Sequence, residues 1–192
     1  PVASNRTLTT AEDTAGTVTL LATDDDGDAL TYSVVTAPNA AHGTVTISGN
    51  VATFTPAANW TGTTSFTYRA NDGTVNSNTA TVSVTVTPVN DTPTVTSRTL
   101  TTNEDTAGTL TLTVSDVDLS FEGDSHTWAI VSAPDAAHGT ASISGSTLTF
   151  TPVANWNGTT TLTYRANDGT ANSNTATVTI TVTPPVTPPV TP

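Results

Sequence analysis

Carboxylate groups are concentrated at a few places in this chain, and those places recur in its two halves. The acidic groups are Glu12-Asp13, Asp24-Asp25-Asp26-Gly27-Asp28 and Asn71-Asp72-Gly73 in the first half, and Glu104-Asp105, Asp116-Val117-Asp118 with Glu122 and Asp124, and Asn167-Asp168-Gly169 in the second. Against 16 acidic residues the chain has only 4 basic ones, all of them arginine. Two carboxylates about 5 Å apart repel by roughly 3 kcal/mol at an effective dielectric of about 20, so these groups need a cation from outside the chain.

The identity of that cation follows from the donor atoms. Hard oxygen ligands, with no histidine or cysteine in the set, favour Ca²⁺ over zinc or copper. The alternative is that the groups are solvated turn residues, because Asp, Asn and Gly favour turns. Recurrence of the same spacing in both halves favours metal binding.

The two halves are copies of one unit. Arg6-Thr-Leu-Thr-Thr recurs 92 residues later from Arg98, and Tyr68-Arg-Ala-Asn-Asp-Gly recurs 96 residues later from Tyr164. A period this long indicates tandem domains and not a solenoid. We predict domains at residues 1–88 and 94–184, a calcium-binding linker at 89–93 and an extended Pro/Thr-rich tail at 185–192.

Each copy has the pattern of short β-strands separated by Gly, Asn, Asp and Pro. Val82, Val84 and Val86 alternate with Ser and Thr, which gives one buried and one solvated face. In the first copy the predicted strands are Arg6–Thr10, Thr17–Ala22, Leu30–Ala37, Gly43–Ser48, Val51–Thr55, Thr64–Ala70 and Thr79–Thr87. No segment has a helical period. The predicted fold is therefore all-β, with two tandem Greek-key seven-stranded β-sandwiches of the cadherin/immunoglobulin type.

Strand order predicts where the acidic groups meet. The loops that carry Glu12, Asp24–Asp28 and Asp72 are expected to share one pole of the first sandwich. The junction between the domains is expected to gather Asn90, Asp91, Glu104, Asp116, Asp118 and Asp168. Glu122 and Asp124, in an enlarged loop of the second copy, either join that group or face water.

These segments resemble a known family. Ala22-Thr-Asp-Asp-Asp-Gly-Asp28 with Tyr32 resembles the A-x-D-x-D…Y segment of cadherins, and Val89-Asn-Asp-Thr-Pro93 resembles their linker. The order E-D-T, D-x-D-G-D, N-W-x-G and V-N-D-x-P is more similar still to the bacterial cadherin-like tandem repeats of large surface adhesins. The resemblance covers about residues 1–184. Thr55–Trp60 replaces the acidic L-D-R-E segment of animal cadherins, which implies fewer ions per junction.

The resemblance implies a ligand set. It assigns calcium at the junction to Asn90, Asp91, Glu104, Asp116, Asp118 and Asp168, and calcium at the N-terminal pole to Glu12, Asp24, Asp26 and Asp72.

Composition narrows the partners. A net charge of −12 argues against nucleic acid and anionic membranes. No stretch approaches the roughly 18 apolar residues of a membrane span, so direct membrane insertion is not expected. Abundant Thr, Ser, Asn and Gly suggests a secreted, extracellular protein of the cell surface.

Other residues are expected to be structural. Trp60 and Trp156 are interpreted as plugs of the sandwich ends and not as sugar platforms. His42, His126 and His138 belong to no catalytic pattern, and we do not expect an enzyme. The Thr-x-Thr runs are interpreted as a consequence of the high β-propensity of threonine and not as an ice-binding surface.

The resulting hypothesis is a calcium-rigidified extracellular spacer or adhesion module of a bacterial surface protein. Its expected partners are neighbouring domains or subunits of that protein, and a cell-surface ligand or glycan. Two alternatives remain. The chain could be a self-assembling subunit of an extracellular filament or surface layer, or an accessory module tethered to a secreted carbohydrate-active enzyme.

Overall fold

The computed structural model describes residues 1–118 and 125–184, and the chain divides into two compact units, residues 1–89 and 90–192. Within the described ranges the regular structure consists of β-strands, with no α-helix. Accordingly, no helix there is long and apolar enough to cross a membrane.

The first unit is a sandwich of two sheets. Its strands are β1 (Val2–Ser4), β2 (Arg6–Ala11), β3 (Gly16–Thr19), β4 (Leu21–Thr23), β5 (Thr31–Thr36), β6 (Gly43–Ser48), β7 (Val51–Pro56), β8 (Gly62–Asn71) and β9 (Ala80–Thr87). One sheet has the order β2-β9-β8-β5 and the other has the order β3-β7-β6, while β1 pairs with β4. The predicted all-β sandwich is confirmed. Two details differ. The predicted strand Thr17–Ala22 is divided into β3 and β4 at Leu20, and the short β1 was not predicted.

Side-chain alternation explains the core of this unit. Along β9, Val82, Val84 and Val86 are buried, while the Ser and Thr residues between them lie on the outer face. Phe66 and Tyr68 of β8 pack in the same cluster from one sheet, together with Ala52 and Phe54 of β7 from the other. The apolar faces of the two sheets thus cover one another.

The second unit repeats this arrangement. Its strands are β10 (Thr94–Val95), β11 (Arg98–Asn103), β12 (Gly108–Thr111), β13 (Val114–Ser115), β14 (Thr127–Ser132), β15 (Gly139–Ser144), β16 (Thr147–Pro152), β17 (Gly158–Asn167) and β18 (Ala176–Thr183). The sheets have the orders β11-β18-β17-β14 and β12-β16-β15, and β10 pairs with β13. Leu148, Phe150, Leu162, Tyr164 and Ile180 are fully buried at its centre.

Strand direction determines which loops share a pole. Because β2 is parallel to β9, both strands end at the same pole, where Glu12 donates its backbone N–H to the carbonyl of Thr87 at 2.9 Å. Asp24–Asp28 precede β5 and Asp72 follows β8, so these residues lie at the pole where β9 begins. An eight-residue strand such as β9 separates the two poles by about 23 Å.

The predicted positions of Glu12 and Glu104 are therefore wrong. Glu12 does not share a pole with Asp24, Asp26 and Asp72, because consecutive loops of a sandwich lie at opposite ends. In the second unit Glu104 donates its N–H to the carbonyl of Thr183 at 2.9 Å, at the end of β18. Asp118 and Asp168 lie at the opposite pole, before β14 and after β17.

Candidate metal sites

Three carboxylates of the first unit converge in one loop. One carboxylate oxygen from each of Asp24, Asp26 and Asp28 lies within 4.8 Å of the other two. Asp72 lines the same surface depression of about 210 Å³ as Asp24 and Asp26. These four aspartates are called the unit-1 cluster below. Asp28 was not among the predicted ligands, although the D-x-D-G-D spacing contains it.

The backbone of this loop shapes the cluster. Oδ1 of Asp24 accepts hydrogen bonds from the N–H groups of Asp26 at 3.0 Å and Asp28 at 3.3 Å. Gly27, with φ of 79°, supplies the left-handed residue that this tight turn requires. The side chain of Asp24 thus folds the loop around itself, as Asx turns do, and brings the next two carboxylates to the same place.

Two aspartates of the unit-1 cluster, Asp24 and Asp72, are stabilised in their ionised form. Partial desolvation raises the pKa of Asp24, but hydrogen bonds from Asp28 and Asp26 and the nearby Pro1 ammonium together lower it below its ordinary value. The ammonium nitrogen lies 3.2 Å from Oδ2 of Asp24. The pKa of Asp72 is lowered mainly by the N–H groups of Val75 and Thr74, each 2.7 Å from Oδ1.

The corresponding pole of the second unit combines loop carboxylates with the residues that begin this unit. Oδ2 of Asp118 accepts the N–H of Asp91 at 2.6 Å, and Oδ2 of Asp168 accepts Nδ2 of Asn90 at 3.1 Å. Oδ1 of Asp116 accepts the N–H of Asp118 at 3.1 Å. These five residues are called the unit-2 cluster below. Hydrogen bonds within the second unit therefore link five of the six residues that were predicted for the junction, and Glu104 is the exception.

Two residues of the unit-2 cluster are buried with their main chain included. Asp118 and Asp168 are each 6% exposed. The pKa of Asp168 is lowered, first by the N–H of Ala171 and also by Asn90 and Thr170, against a raising effect of desolvation. Oδ1 of Asp168 lies 2.6 Å from the nitrogens of both Thr170 and Ala171. Such a carboxylate remains charged at neutral pH.

A histidine that sequence analysis treated as merely structural contacts this cluster. Nε2 of His126 lies 2.7 Å from Oδ2 of Asp116, and the two side chains are only 7% and 1% exposed. The first unit has Leu30 at the matching position. The change from Leu to His at a half-buried position was the available signal, because a buried polar group requires a partner.

The two glutamates bind other groups. Oε1 of Glu12 accepts the N–H of Val89 at 2.7 Å, whereas Oε2 of Glu104 accepts Nδ2 of Asn157 at 3.0 Å. Glu122 and Asp124, the predicted additional acidic residues, lie outside the described residues.

The two loop tryptophans pack against the cores of their units and against histidine rings. Trp60 packs against the core of the first unit and stacks on His42, with 4.4 Å between ring centroids. Trp156 stacks on His138 at the same distance in the second unit. These contacts match the plug interpretation of both residues.

The donor chemistry of both clusters fits calcium. The ligands available are carboxylate oxygens and the side-chain amide oxygen of Asn90, which are donors that Ca²⁺ takes in proteins. The thiolates that soft metals prefer are absent, because the chain has no cysteine.

Comparisons with known proteins place the chain in a family. The model of the bacterial Ig domain family matches residues 1–85 and, a second time, residues 90–181. The chain therefore belongs to the bacterial Ig domain family, in two tandem copies. No curated protein sequence is significantly similar to it.

Solved structures add the cadherin likeness. The human CDH23 fragment EC21-23 is similar with a TM-score of 0.66 and 18% identity, over 95% of this chain and 69% of that one. Mouse Cadherin-23 EC22-24 gives 0.62 and 18%, over 94% and 63%. Together with the family match, this likeness confirms a bacterial cadherin/Ig-like tandem repeat.

The chain covers only part of each of these structures. It spans 40% of the human Desmocollin-1 ectodomain, with a TM-score of 0.52 and 17% identity over 92% of this chain. It spans 28% of an endo-fucoidan hydrolase of glycoside hydrolase family 107, with a TM-score of 0.38 and 25% identity over 95% of this chain.

Proposed function

We propose that this chain is a calcium-stiffened spacer or adhesion module of an extracellular bacterial surface protein. The observation that carries the proposal is the unit-1 cluster, in which carboxylate oxygens of Asp24, Asp26 and Asp28 lie within 4.8 Å of one another. At such separations each pair of charges repels by roughly 3 kcal/mol at an effective dielectric of about 20, and a divalent cation would remove this cost. We propose Asp24, Asp26, Asp28 and Asp72 as its ligands.

A second calcium ion is proposed at the unit-2 cluster. Its ligands would be Asn90, Asp91, Asp116, Asp118 and Asp168. Asp118 and Asp168 are buried carboxylates, and leaving a buried charge uncompensated costs several kcal/mol. Their present partners include the side chain of Asn90 and the backbone of Asp91, so a cation would meet groups already held close together.

Stiffening would follow from the position of Asn90 and Asp91 in the chain. Both residues begin the second unit and come directly after Val89, the last residue of the first. A cation that binds their oxygens together with Asp118 and Asp168 would restrict the backbone at this point. Fixing the backbone of one residue costs about 1–2 kcal/mol of conformational entropy. Loss of this freedom at a few residues next to Val89 would make the connection between the two domains stiffer.

The calcium affinity expected for such a site suits an extracellular location. Extracellular calcium modules bind with dissociation constants of about 0.1–1 mM. At about 1 mM calcium, a site with a dissociation constant of about 0.1 mM adds roughly 1.4 kcal/mol to folding stability. Neighbouring domains or subunits of the same surface protein are the proposed partners.

The test is a calcium titration by calorimetry, combined with melting curves in calcium and in chelator. We expect binding of one or two ions and a melting temperature that rises with calcium but not with equal magnesium, which demands stricter octahedral geometry. Asp24→Asn/Asp26→Asn should remove the unit-1 ion, and Asp118→Asn/Asp168→Asn the unit-2 ion. Identical melting curves in calcium and chelator, with no heat of binding, would contradict the proposal.

Stiffness needs its own measurement. Calcium should narrow the distribution of distances between spin labels placed on the outer strands of the two units, and chelator should broaden it. The Asp118→Asn/Asp168→Asn variant should give the broad distribution at all calcium concentrations. A distribution that does not change with calcium while the ion still binds would leave a calcium site without a mechanical role.

A further inference from the structure

We infer that His126 is a positioning residue that sets the calcium affinity of the unit-2 cluster by holding the carboxylate of Asp116. This inference rests on the proposed calcium function and extends it to a residue outside the ligand set. It starts from a contact that the first unit cannot make, because Leu30 stands at the position of His126.

The direction of the hydrogen bond follows from the chemistry of its two groups. An ionised carboxylate accepts hydrogen bonds and has none to donate, so Nε2 of His126 carries the hydrogen and donates it to Oδ2 of Asp116 over 2.7 Å. With its hydrogen directed at Asp116, Nε2 has no lone pair for a metal.

Both oxygens of Asp116 are fixed from different sides. His126 binds Oδ2 from the segment before β14, and the backbone of Asp118 binds Oδ1 at 3.1 Å from the acidic loop itself. Two hydrogen bonds from separate segments fix both the position and the plane of a carboxylate. Because each oxygen has two lone pairs, one remains on each oxygen for a cation.

The first unit fixes the matching residue in another way. Oδ1 of Asp24 takes two backbone N–H groups of its own loop, from Asp26 and Asp28. Leu30 can offer no hydrogen bond there. The second oxygen of Asp24 lies 3.2 Å from the nitrogen of Pro1, so both oxygens of Asp24 are held by main-chain nitrogens. In Asp116 the backbone holds only Oδ1, and the second oxygen depends on the side chain of His126.

A fixed ligand binds a metal more tightly, because less freedom is lost on binding. Groups that hold metal ligands in place typically account for about 10–100-fold in metal affinity. His126 is well placed for this role, because its side chain is only 7% exposed. We therefore expect the unit-2 ion to bind about 10–100-fold more weakly when this hydrogen bond is lost.

The experiment compares three substitutions of His126 in the full chain with Asp24→Asn/Asp26→Asn, so that calorimetry reports the unit-2 ion alone. His126→Leu copies the first unit and removes the donor. His126→Gln keeps a donor at about the reach of Nε2, and His126→Asn places its donor only as far out as Nδ1. The measured quantity is the calcium dissociation constant at pH 7.5, with near-ultraviolet circular dichroism in chelator as the check of folding.

Weaker binding in His126→Leu and His126→Asn, with near-parental binding in His126→Gln, would support the positioning role. If His126→Leu does not fold, the Gln and Asn variants carry the same comparison between two polar side chains. Unchanged or tighter binding in both donor-deficient variants, or equal losses in all three, would overturn the inference and leave the calcium proposal standing. Absence of calcium binding at this cluster in the parent would overturn the proposed function there, and this inference with it.

Discussion

The N–H group of Val89 donates a 2.7 Å hydrogen bond to Oε1 of Glu12, and Glu12 is only 4% exposed. The contact exists because β2 and β9 are parallel and end together. The matching residue of the second unit, Glu104, binds the side chain of Asn157 instead. The sequence provides a reason, because the residue that matches Val89 is Pro185, which has no amide hydrogen to donate.

The first prediction concerns this hydrogen bond. Glu12→Ala should destabilise the first unit by about 1.5–3 kcal/mol, because it removes a hydrogen bond to a charged group and leaves the Val89 amide without its acceptor. Glu12→Gln keeps a side-chain oxygen and should cost about half as much. Urea unfolding in chelator measures both values. Glu104→Ala is the control and should cost less, because Glu104 is only half-buried. Equal costs at the two positions would contradict this explanation.

The second prediction concerns a glycine with no room for a side chain. Gly43 has φ of 147°, and a Cβ there would lie 2.7 Å from Cζ of Phe54 and also against the carbonyl of Thr55. Gly43→Ala should therefore destabilise the first unit by about 3–5 kcal/mol, the sum of backbone strain and overpacking. Unfolding in urea measures the loss.

Gly49→Ala is the matched control for Gly43. Gly49 has φ of 59°, and no atom lies within 4 Å of the place that an added methyl group would take, so its cost should be about 1–2 kcal/mol of backbone strain alone. Gly139 and Gly145 offer the same comparison in the second unit. A Gly43→Ala cost no larger than that of Gly49→Ala would show that the Phe54 ring moves aside freely.

Local sequence patterns were sufficient to predict the strands, but not to predict which loops share a pole of the sandwich. The alternation of Val82, Val84 and Val86 and the Gly49-Asn50 turn predict β9 and the β6–β7 hairpin, because both signals act within a few residues. The pole of Glu12 depends on the parallel pairing of β2 with β9, which joins residues more than 70 positions apart. A loop's place in the chain does not determine that pairing.

The same difference between short-range and long-range contacts applies to the residues of the candidate sites. Asp24 and Asp26 were predicted from sequence, and the Asx turn that brings them together also adds Asp28, which was not predicted as a ligand. His126 and Asp116 are 10 positions apart in the chain, and no short sequence motif encodes their contact. Only the comparison of the two copies, Leu30 against His126, pointed to it.

The third prediction concerns acid. The pKa of Asp168 is lowered in the folded chain, chiefly by the Ala171 N–H, so the unfolded chain binds its proton at higher pH than the folded chain does. The stabilisation by Asp168 is therefore complete above the unfolded pKa of about 3.9 and is lost as pH falls through the lower folded value. In calcium-free buffer, the melting temperature of the parent should fall more steeply below about pH 4 than that of Asp168→Asn.

Asp72→Asn provides a matched comparison for the acid prediction, because the pKa of Asp72 is also lowered, chiefly by the Val75 N–H. In Asp72→Asn, the melting temperature of the first unit should likewise fall less steeply below about pH 4 than it does in the parent. Parallel melting curves for the parent and both variants between pH 5 and pH 2 would mean that these hydrogen bonds do not distinguish the folded from the unfolded carboxylate.

The fourth prediction concerns the tyrosines that hold the first strands. The hydroxyl of Tyr164 donates to the carbonyl of Thr96 at 2.7 Å, and burial raises the pKa of Tyr164. Tyr68 binds the carbonyl of Ser4 in the first unit and accepts the N–H of Leu21 at 3.3 Å. Tyr164→Phe and Tyr68→Phe should each cost about 1–2 kcal/mol, because a part-buried carbonyl loses its donor.

Hydrogen exchange separates this effect from a general loss of packing. Ala3 donates its N–H to Oδ1 of Asn78 at 2.9 Å, next to the carbonyl that Tyr68 holds. In Tyr68→Phe the Ala3 amide should exchange faster, whereas the amides of β8 and β9 should keep their protection, because the phenyl ring still fills the core. Tyr32→Phe is the control, since Tyr32 is half-buried and its ring centroid lies 6.2 Å from that of Tyr68. Faster exchange throughout the unit in Tyr68→Phe would mean that the hydroxyl stabilises the whole sandwich and not β1 alone.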